Sequence, residues 1–405
     1  MESKTVKLAA VAIVAIVAIA ALAFMLQPKD SSGDSITIAY GNANGWDAII
    51  YADEAGLFEA EGVNVTSNLC ADGGLAMAAV MSGQADMTFV GIDPIINMSM
   101  NEGARGIKVI GGMMLPFQSS MYLAYNSDKI TTTKKVTTTD GDTTLVNVFD
   151  DIVSPTGTKT GEKIAVPLAT AFKSYYIGYL QLLLKGGESY GNTYPATQIT
   201  QAQYDVLVNT ADSSIYINST LATISSALTT GEAAVIIGTN SILSTAVDAN
   251  PSKFHSYCAP GTVASGFCIT VVSEKALTEN KNAVIKVLRA MDKAGVLMTN
   301  DSTEYDVALK TAWRIYNTVA TEANIETYVN RQLNYYNDIR LDVCTVKDMD
   351  VLLKNTATIL GYPTYDVSKI WDPVLEDQII KAVHGGGKYQ IDVTAPTTFI
   401  TWTVA

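Results

Sequence analysis

From Ser35 onward the hydrophobic pattern of this 405-residue chain switches repeatedly between the period of a strand and that of a helix. That switching restricts the fold more than any other feature, because a period near two and a period near 3.6 demand different backbones. "SITIAY" (Ser35 to Tyr40) reads as a short strand, and "GWDAIIYADEAGLF" places Ile49, Ile50, Leu57 and Phe58 at near-helical spacing. A Gly-marked stop follows, and a strand begins at Val63 in "GVNVTSNL". Gly73-Gly74 opens the small-residue helix "LAMAAVMSG", "ADMTFVG" is a strand, and "DPIINMSMNEG" is a helix with Asp93 at its cap and Pro94 in its first position. "IKVIGGM" is a strand again. Strands alternating with short helices specify a mainly parallel sheet covered on both faces.

An internal echo extends this pattern. Ala79–Gly91 reads "AVMSGQADMTFVG" and Ala227–Gly238 reads "ALTTGEAAVIIG". Each is a helix end capped by Gly that feeds a buried strand. "EKIAVPLATAF" (Glu162 to Phe172) likewise parallels "SITIAYGNANG", and "YYIGYLQLLLKGG" parallels the first helix. The chain is therefore expected to build two similar α/β lobes. Between them, residues 131–162 are rich in Thr, Asp and Gly and read as an inserted surface excursion with a hairpin around Asp140-Gly141. Beyond "GFCITVV" the chain is mostly helical, with helices expected at Lys281–Met298, Tyr305–Ala320, Ile325–Tyr336 and Asp348–Leu360. After "HGGGK" the tail alternates as β.

The ends and the composition bear on location. "MESKTVK" precedes Leu8–Leu26, a run without a charged residue. Its length just reaches a bilayer span, which takes roughly 17–25 residues. The leading lysines orient the rest of the chain out of the cytoplasm. A hydrophobic N-terminal helix is expected, either a signal peptide or an uncleaved anchor, with a polar spacer to residue 34. Export suits the Asn-x-Ser/Thr triplets at Asn64, Asn97, Asn218 and Asn300, which are candidate N-glycosylation sites. Cys258 and Cys268 flank a Pro/Gly loop that a disulfide could close; two reduced buried thiols fit the sequence equally well. A net charge of −13 argues against nucleic acid as a partner. Two histidines and four scattered cysteines suggest neither a metal site nor a catalytic dyad, and no phosphate loop occurs.

"GWDAIIYADEAGLFEAEGVNV", the Gly-Gly turn, "MSGQADMTFVG" and "EKIAVPLATA" resemble, in their order, the periplasmic-type solute-binding proteins of ABC transporters. The nitrate/sulfonate/taurine and pyrimidine-precursor binding branch is the most similar, and the likeness runs from about Ile36 to Val383. The resemblance implies a type II periplasmic-binding-protein-like fold, two Rossmann-like lobes joined by crossing strands, with ligand closed between them. It places lobe I in 35–126 and 266–383, lobe II in 127–265 with the insertion 131–162, a leader in 1–34 and a β-like tail in 384–405.

In such sheets ligands bind beyond the carboxyl ends of strands, where loops enter helix N-termini. The corresponding loops nominate Tyr40, Asn42, Asn44 and Trp46; Gly73 and Gly74; Asp93; Gln118 and Ser119. In the second lobe they nominate Thr170, Ala171 and Lys173, then Thr239 and Asn240. Trp46 suits an apolar or planar ligand face, the asparagines offer donors and acceptors, and Lys173 offers a positive charge. No arginine lies in these loops, which counts against bidentate capture of a carboxylate or sulfonate. The function expected is capture of a small polar or anionic solute and its delivery to an ABC permease in the membrane, without cofactor, metal or catalysis. The alternative is a cell-envelope assembly protein on the same fold, self-assembling through surface loops or the tail strand.

Overall fold

The computed structural model describes residues 34–41, 46–102, 106–116, 121–137, 144–167, 172–189, 192–220, 223–238, 240–259, 268–300, 302–316, 321–333, 339–340, 343, 345–346, 349–385 and 390–391. The N-terminal apolar run expected to form a helix, the Asp140-Gly141 turn and the tail beyond 391 lie outside the described residues. β1 (Ser35–Tyr40) buries Ile36, Ile38 and Ala39. α1 (Asp47–Glu54) turns at Gly56 (φ +66°) into α2 (Leu57–Ala60), and Gly62 (φ +70°) turns the chain into β2 (Asn64–Leu69). Both turns use left-handed backbone, which glycine takes at least steric cost. Phe58 is buried between them and Leu57 packs on the same core. α3 (Gly73–Met81), β3 (Met87–Val90), α4 (Ile92–Glu102) and β4 (Ile107–Pro116) complete the first run.

The chain then crosses to a second sheet. β5 (Met121–Asn126) is followed by the antiparallel hairpin of β6 (Lys134–Thr137) and β7 (Thr144–Asn147). The Thr-rich stretch is not wholly a surface excursion: past the hairpin Val148, Phe149, Ile152 and Val153 are fully buried in the main core. β8 (Ile164–Val166) and α5 (Phe172–Lys185) follow, then the small pair β9 (Gly187–Ser189) and β10 (Asn192–Tyr194). α6 (Gln201–Leu207) starts in a capping box between Thr200 and Gln203. β11 (Tyr216–Asn218), α7 (Ile224–Thr229), β12 (Val235–Gly238), α8 (Asn240–Ala249) and β13 (Phe254–Ala259) finish this half. The chain returns through β14 (Cys268–Ser273) to α9 (Glu274–Glu279), α10 (Lys281–Asn300), α11 (Ser302–Tyr316), α12 (Glu322–Leu333), β15 (Ile339–Arg340), β16 (Thr345–Val346), α13 (Met349–Ile359), α14 (Pro373–Val383) and β17 (Gln390–Ile391).

The two large sheets have orders β15-β4-β14-β3-β1-β2 and β11-β8-β12-β5-β13. Read from β2 and from β11, five strands correspond one to one. In each sheet the fourth of these, β14 or β5, runs antiparallel and comes from the other part of the chain. The sequence echo is a structural one. Gly83 and Gly231 both take φ +77°. The Ala85 N–H donates to the Ala79 carbonyl (3.0 Å) as Ala233 N–H does to Ala227 (2.9 Å). Asp86 N–H donates to the Thr37 carbonyl as Ala234 N–H does to Lys163, each at 2.8 Å.

The C-terminal helices fasten the halves together. α10 and α11 pack on α1, and the Tyr51 hydroxyl donates to Glu304 Oε2 (2.5 Å). α14 packs on β4 and α10, and Val109 N–H donates to the Ile370 carbonyl (2.7 Å). α13 packs against both α4 of the first half and α5 of the second, and α12 packs against α8. β17, the first part of the tail, pairs in parallel with β16 of its own chain. Among the described residues no helix is long and apolar enough to cross a membrane.

Candidate functional site

Strand register locates the candidate site. β14 enters the first sheet antiparallel to β3, with Ile269 opposite Val90, so the carboxyl ends of β1 and β3 lie where the chain arrives from the second sheet. β5 enters the second sheet antiparallel to β12, with Gly238 opposite Tyr122, so the carboxyl ends of β8 and β12 lie where the chain arrives from the first. Both sheets therefore direct their strand-to-helix loops toward the two crossings, at 117–120 and 260–267. The helices that follow these strands begin on the same side of each sheet as the crossings, which suits polar ligands.

On the first lobe three loops meet around Trp46. It precedes α1, is 7% exposed, and its indole N–H donates to the Phe89 carbonyl (2.5 Å). A side chain on Gly41 would meet Trp46 Cη2 at 2.9 Å and the backbone of Asp72 and Gly73 at 3.0 and 3.1 Å. A side chain on Gly73 would meet Val90 Cγ1 at 3.4 Å and Trp46 Cζ2 at 3.8 Å. The ring thus wedges together the loops after β1 and β2 and the end of β3. The sequence nominated Gly73 but missed Gly41, whose only signal was its place directly after the strand.

Every helix start on this side carries an acid. Asp72 caps α3, its Oδ1 accepting from the Leu75 N–H (2.9 Å). Asp47 and Asp93 lie in the first turns of α1 and α4, both buried and both partnered within the protein. α4 begins at Ile92, so Asp93 sits inside the first turn rather than ahead of it. These carboxylates offset the positive ends of the three helices, and sequence reasoning passed over Asp47 and Asp72. Tyr40 is buried at the end of β1; burial pushes its phenol up, and the charges of Asp53 and Cys70 add to the effect. Cys70, half-buried, is pushed up to about 11 by burial, then by Asp72, which disfavours the reactive thiolate. Gly74 is half-buried within α3.

On the second lobe the counterpart of Trp46 is Phe172, 5% exposed at the start of α5. Lys173 follows it, half-buried in the first turn. α8 begins at Asn240. Neither helix has an acid in its first turn, in contrast to the first lobe. Asn42, Asn44, Gln118, Ser119, Thr170, Ala171 and Thr239 lie outside the described residues, as do the side chains of Asn240, Cys258, Cys268 and Asn300. The backbones of Cys258 and Cys268 belong to different sheets. Among the described residues no cluster of His, Cys, Asp and Glu could hold a metal ion. His255 stands near the start of β13, at the end away from the crossings. His384 follows α14 and bonds the Val343 carbonyl through Nε2 (2.7 Å).

No family model and no curated protein matches the sequence. Solved structures do. The periplasmic nitrate-binding protein NrtA from Synechocystis PCC 6803 is 12% identical with a TM-score of 0.58, over 87% of this chain and 89% of that one. The periplasmic aliphatic sulphonate binding protein SsuA from Escherichia coli is 14% identical with a TM-score of 0.55, over 84% and 93%. The ligand binding component of an ABC-type import system from Staphylococcus aureus, solved with zinc bound, is 11% identical with a TM-score of 0.55, over 85% and 99%. What these share with the present chain is architecture: it has the two-lobed fold of the periplasmic solute-binding proteins.

Proposed function

We propose that this protein is the extracytoplasmic solute-binding component of an ABC importer, capturing a small polar or anionic solute between its lobes and presenting it to a membrane permease. The observation that carries this is the convergence of strand carboxyl ends from both sheets on the two crossings, supported by the neighbours of like fold. Binding biases the lobes toward closure by its differential affinity for the closed form. With the starts of α1, α3 and α4 already offset by Asp47, Asp72 and Asp93, the charges weigh toward a neutral or zwitterionic solute over a simple anion. Leu8–Leu26 would hold the protein at the membrane or direct its export. No catalytic step is proposed: His255 and His384 stand away from the carboxyl ends of the strands, and the neighbours of like fold are binding proteins. The assembly alternative draws no support from the tail, whose β17 is occupied by β16.

The test is a thermal-shift screen of residues 34–405 with nitrate, sulfonates, amino acids, betaines and pyrimidines. A solute present at 100 times its Kd raises stability by about 2.7 kcal/mol. A shift with any of these supports the reading and names the solute class. Unchanged melting across the panel, with unchanged tryptophan fluorescence, counts against it.

A further inference from the structure

Four sequons occur in the chain, and the fold treats them differently. Asn64 is exposed on β2, with Thr66 of its triplet also exposed. Asn218 is exposed at the carboxyl end of β11 and has a partner within the protein, and Thr220 of its triplet is exposed beside it, its hydroxyl bonded to that of Thr223 (3.0 Å). β2 and β11 are the corresponding outermost strands of the two sheets, and among the described residues neither has a further strand on its outer side. Asn97 is different. It is half-buried on α4, and Ser99 of its triplet is 2% exposed and bonded to the Tyr365 hydroxyl (2.6 Å). α4 also packs on α3, α5 and α13, which leaves no room there for a sugar.

We infer that Asn64 and Asn218 carry N-linked glycans that cover the open edges of the two sheets, and that Asn97 carries none. An unpaired edge is a template for strand addition, and proteins blunt it with charge, proline, bulges or a covering group. Here β2 reads "NVTSNL" and β11 reads "YIN", with neither charge nor proline. A bulky, solvated saccharide on an outward Asn supplies the missing cover. The modification draws on a sugar linked through phosphate to a lipid carrier. The Asn amide nitrogen bonds to the anomeric carbon, and the bond from that carbon to the phosphate oxygen breaks. The lipid phosphate leaves with the electron pair, the amide releases one proton, and no oxidant or reductant is needed. The inference rests on the extracytoplasmic location proposed above, because such transfer occurs on the outer side of the membrane.

The experiment uses the full chain isolated from the cells that make it, with intact-mass and glycopeptide mass spectrometry. Protease treatment of intact cells establishes location separately. One mass increment is expected at each of Asn64 and Asn218, and glycopeptide analysis scores Asn300 separately. N64Q and T66A should each remove one of them, N218Q and T220A should remove the other, and N97Q should change nothing. All of these are conservative surface changes except N97Q, and melting temperatures of the first four should match wild type. The N64Q/N218Q double variant should self-associate with rising concentration in size-exclusion chromatography while the wild type does not. Unmodified Asn64 and Asn218 on a protein that outside protease can reach would overturn the inference, as would a glycan on Asn97. A double variant as monomeric as wild type would overturn the edge-covering role. A protein protected from outside protease would remove the location, and the inference with it.

Discussion

Replacing Trp46 by Phe separates a structural wedge from a ligand contact. The indole is almost wholly buried, and its N–H reaches the Phe89 carbonyl. Losing that bond costs about 0.5–1.5 kcal/mol net. The smaller ring also withdraws the atoms that touch Gly41 and Gly73, which adds about 1 kcal/mol of lost packing. The sum, about 2 kcal/mol, should lower the melting temperature of the ligand-free protein by about 4–8 °C at a domain size of roughly 200 residues. Scanning calorimetry without solute is the assay. Gly41→Ala attacks the same contact from the other side: its new Cβ meets Trp46 Cη2 at 2.9 Å and should cost about 1–3 kcal/mol alone. Combined with Trp46→Phe it should cost less than the sum, because the colliding ring atom is gone. An unaltered melting temperature for Trp46→Phe, together with weakened solute binding, would refute the wedge and return Trp46 to the ligand.

Gly83→Ala and Gly231→Ala each place a Cβ in open space at φ +77°, so each should cost about 1–2 kcal/mol from backbone conformation alone, and by similar amounts in the two lobes. Urea unfolding measures both; a cost in one lobe only would break the structural equivalence of the turns. Cys70, raised to about 11, is about one part in a thousand thiolate at pH 8, against about one in ten for an ordinary thiol near pKa 9. Its reaction with a disulfide reagent should therefore run roughly a hundredfold slower than free cysteine and quicken as pH rises toward 11 or on unfolding. Native reactivity equal to free cysteine would contradict the buried placement.

Much of the fold was legible because its central strands are buried on both faces and its helices keep a clear period. β1, β3 and β12 read directly as apolar runs closed by turn residues, and the Gly83 and Gly231 turns carried the duplication in their letters. The late helices also stood out by period, with boundaries shifted by a few residues. Phe149, Ile152 and Val153 were hidden because the surrounding Thr and Asp mask an apolar patch at helical spacing. α14 was announced by Asp372-Pro373, a capping residue and a proline at the first helical position, yet it was not singled out. At the cleft, the sequence pointed to the right loops but not to which way each side chain turns. Trp46 points inward because Gly41 and Gly73 leave room for it, a relation between residues distant along the chain that no local window reveals.

The placement of α13 bears on how the lobes can move. A pure swing about the two crossings would strip this helix from either α4 or α5, exposing apolar surface at a cost that grows with every residue uncovered. Motion that keeps both contacts must instead slide α13 along its neighbours, a shear in which packed ridges move from one groove to the next. Such sliding proceeds by discrete steps, so the cleft should occupy a few distinct widths rather than a continuum. If solute capture closes the lobes as proposed, part of its free energy would go into shifting the register of this helix.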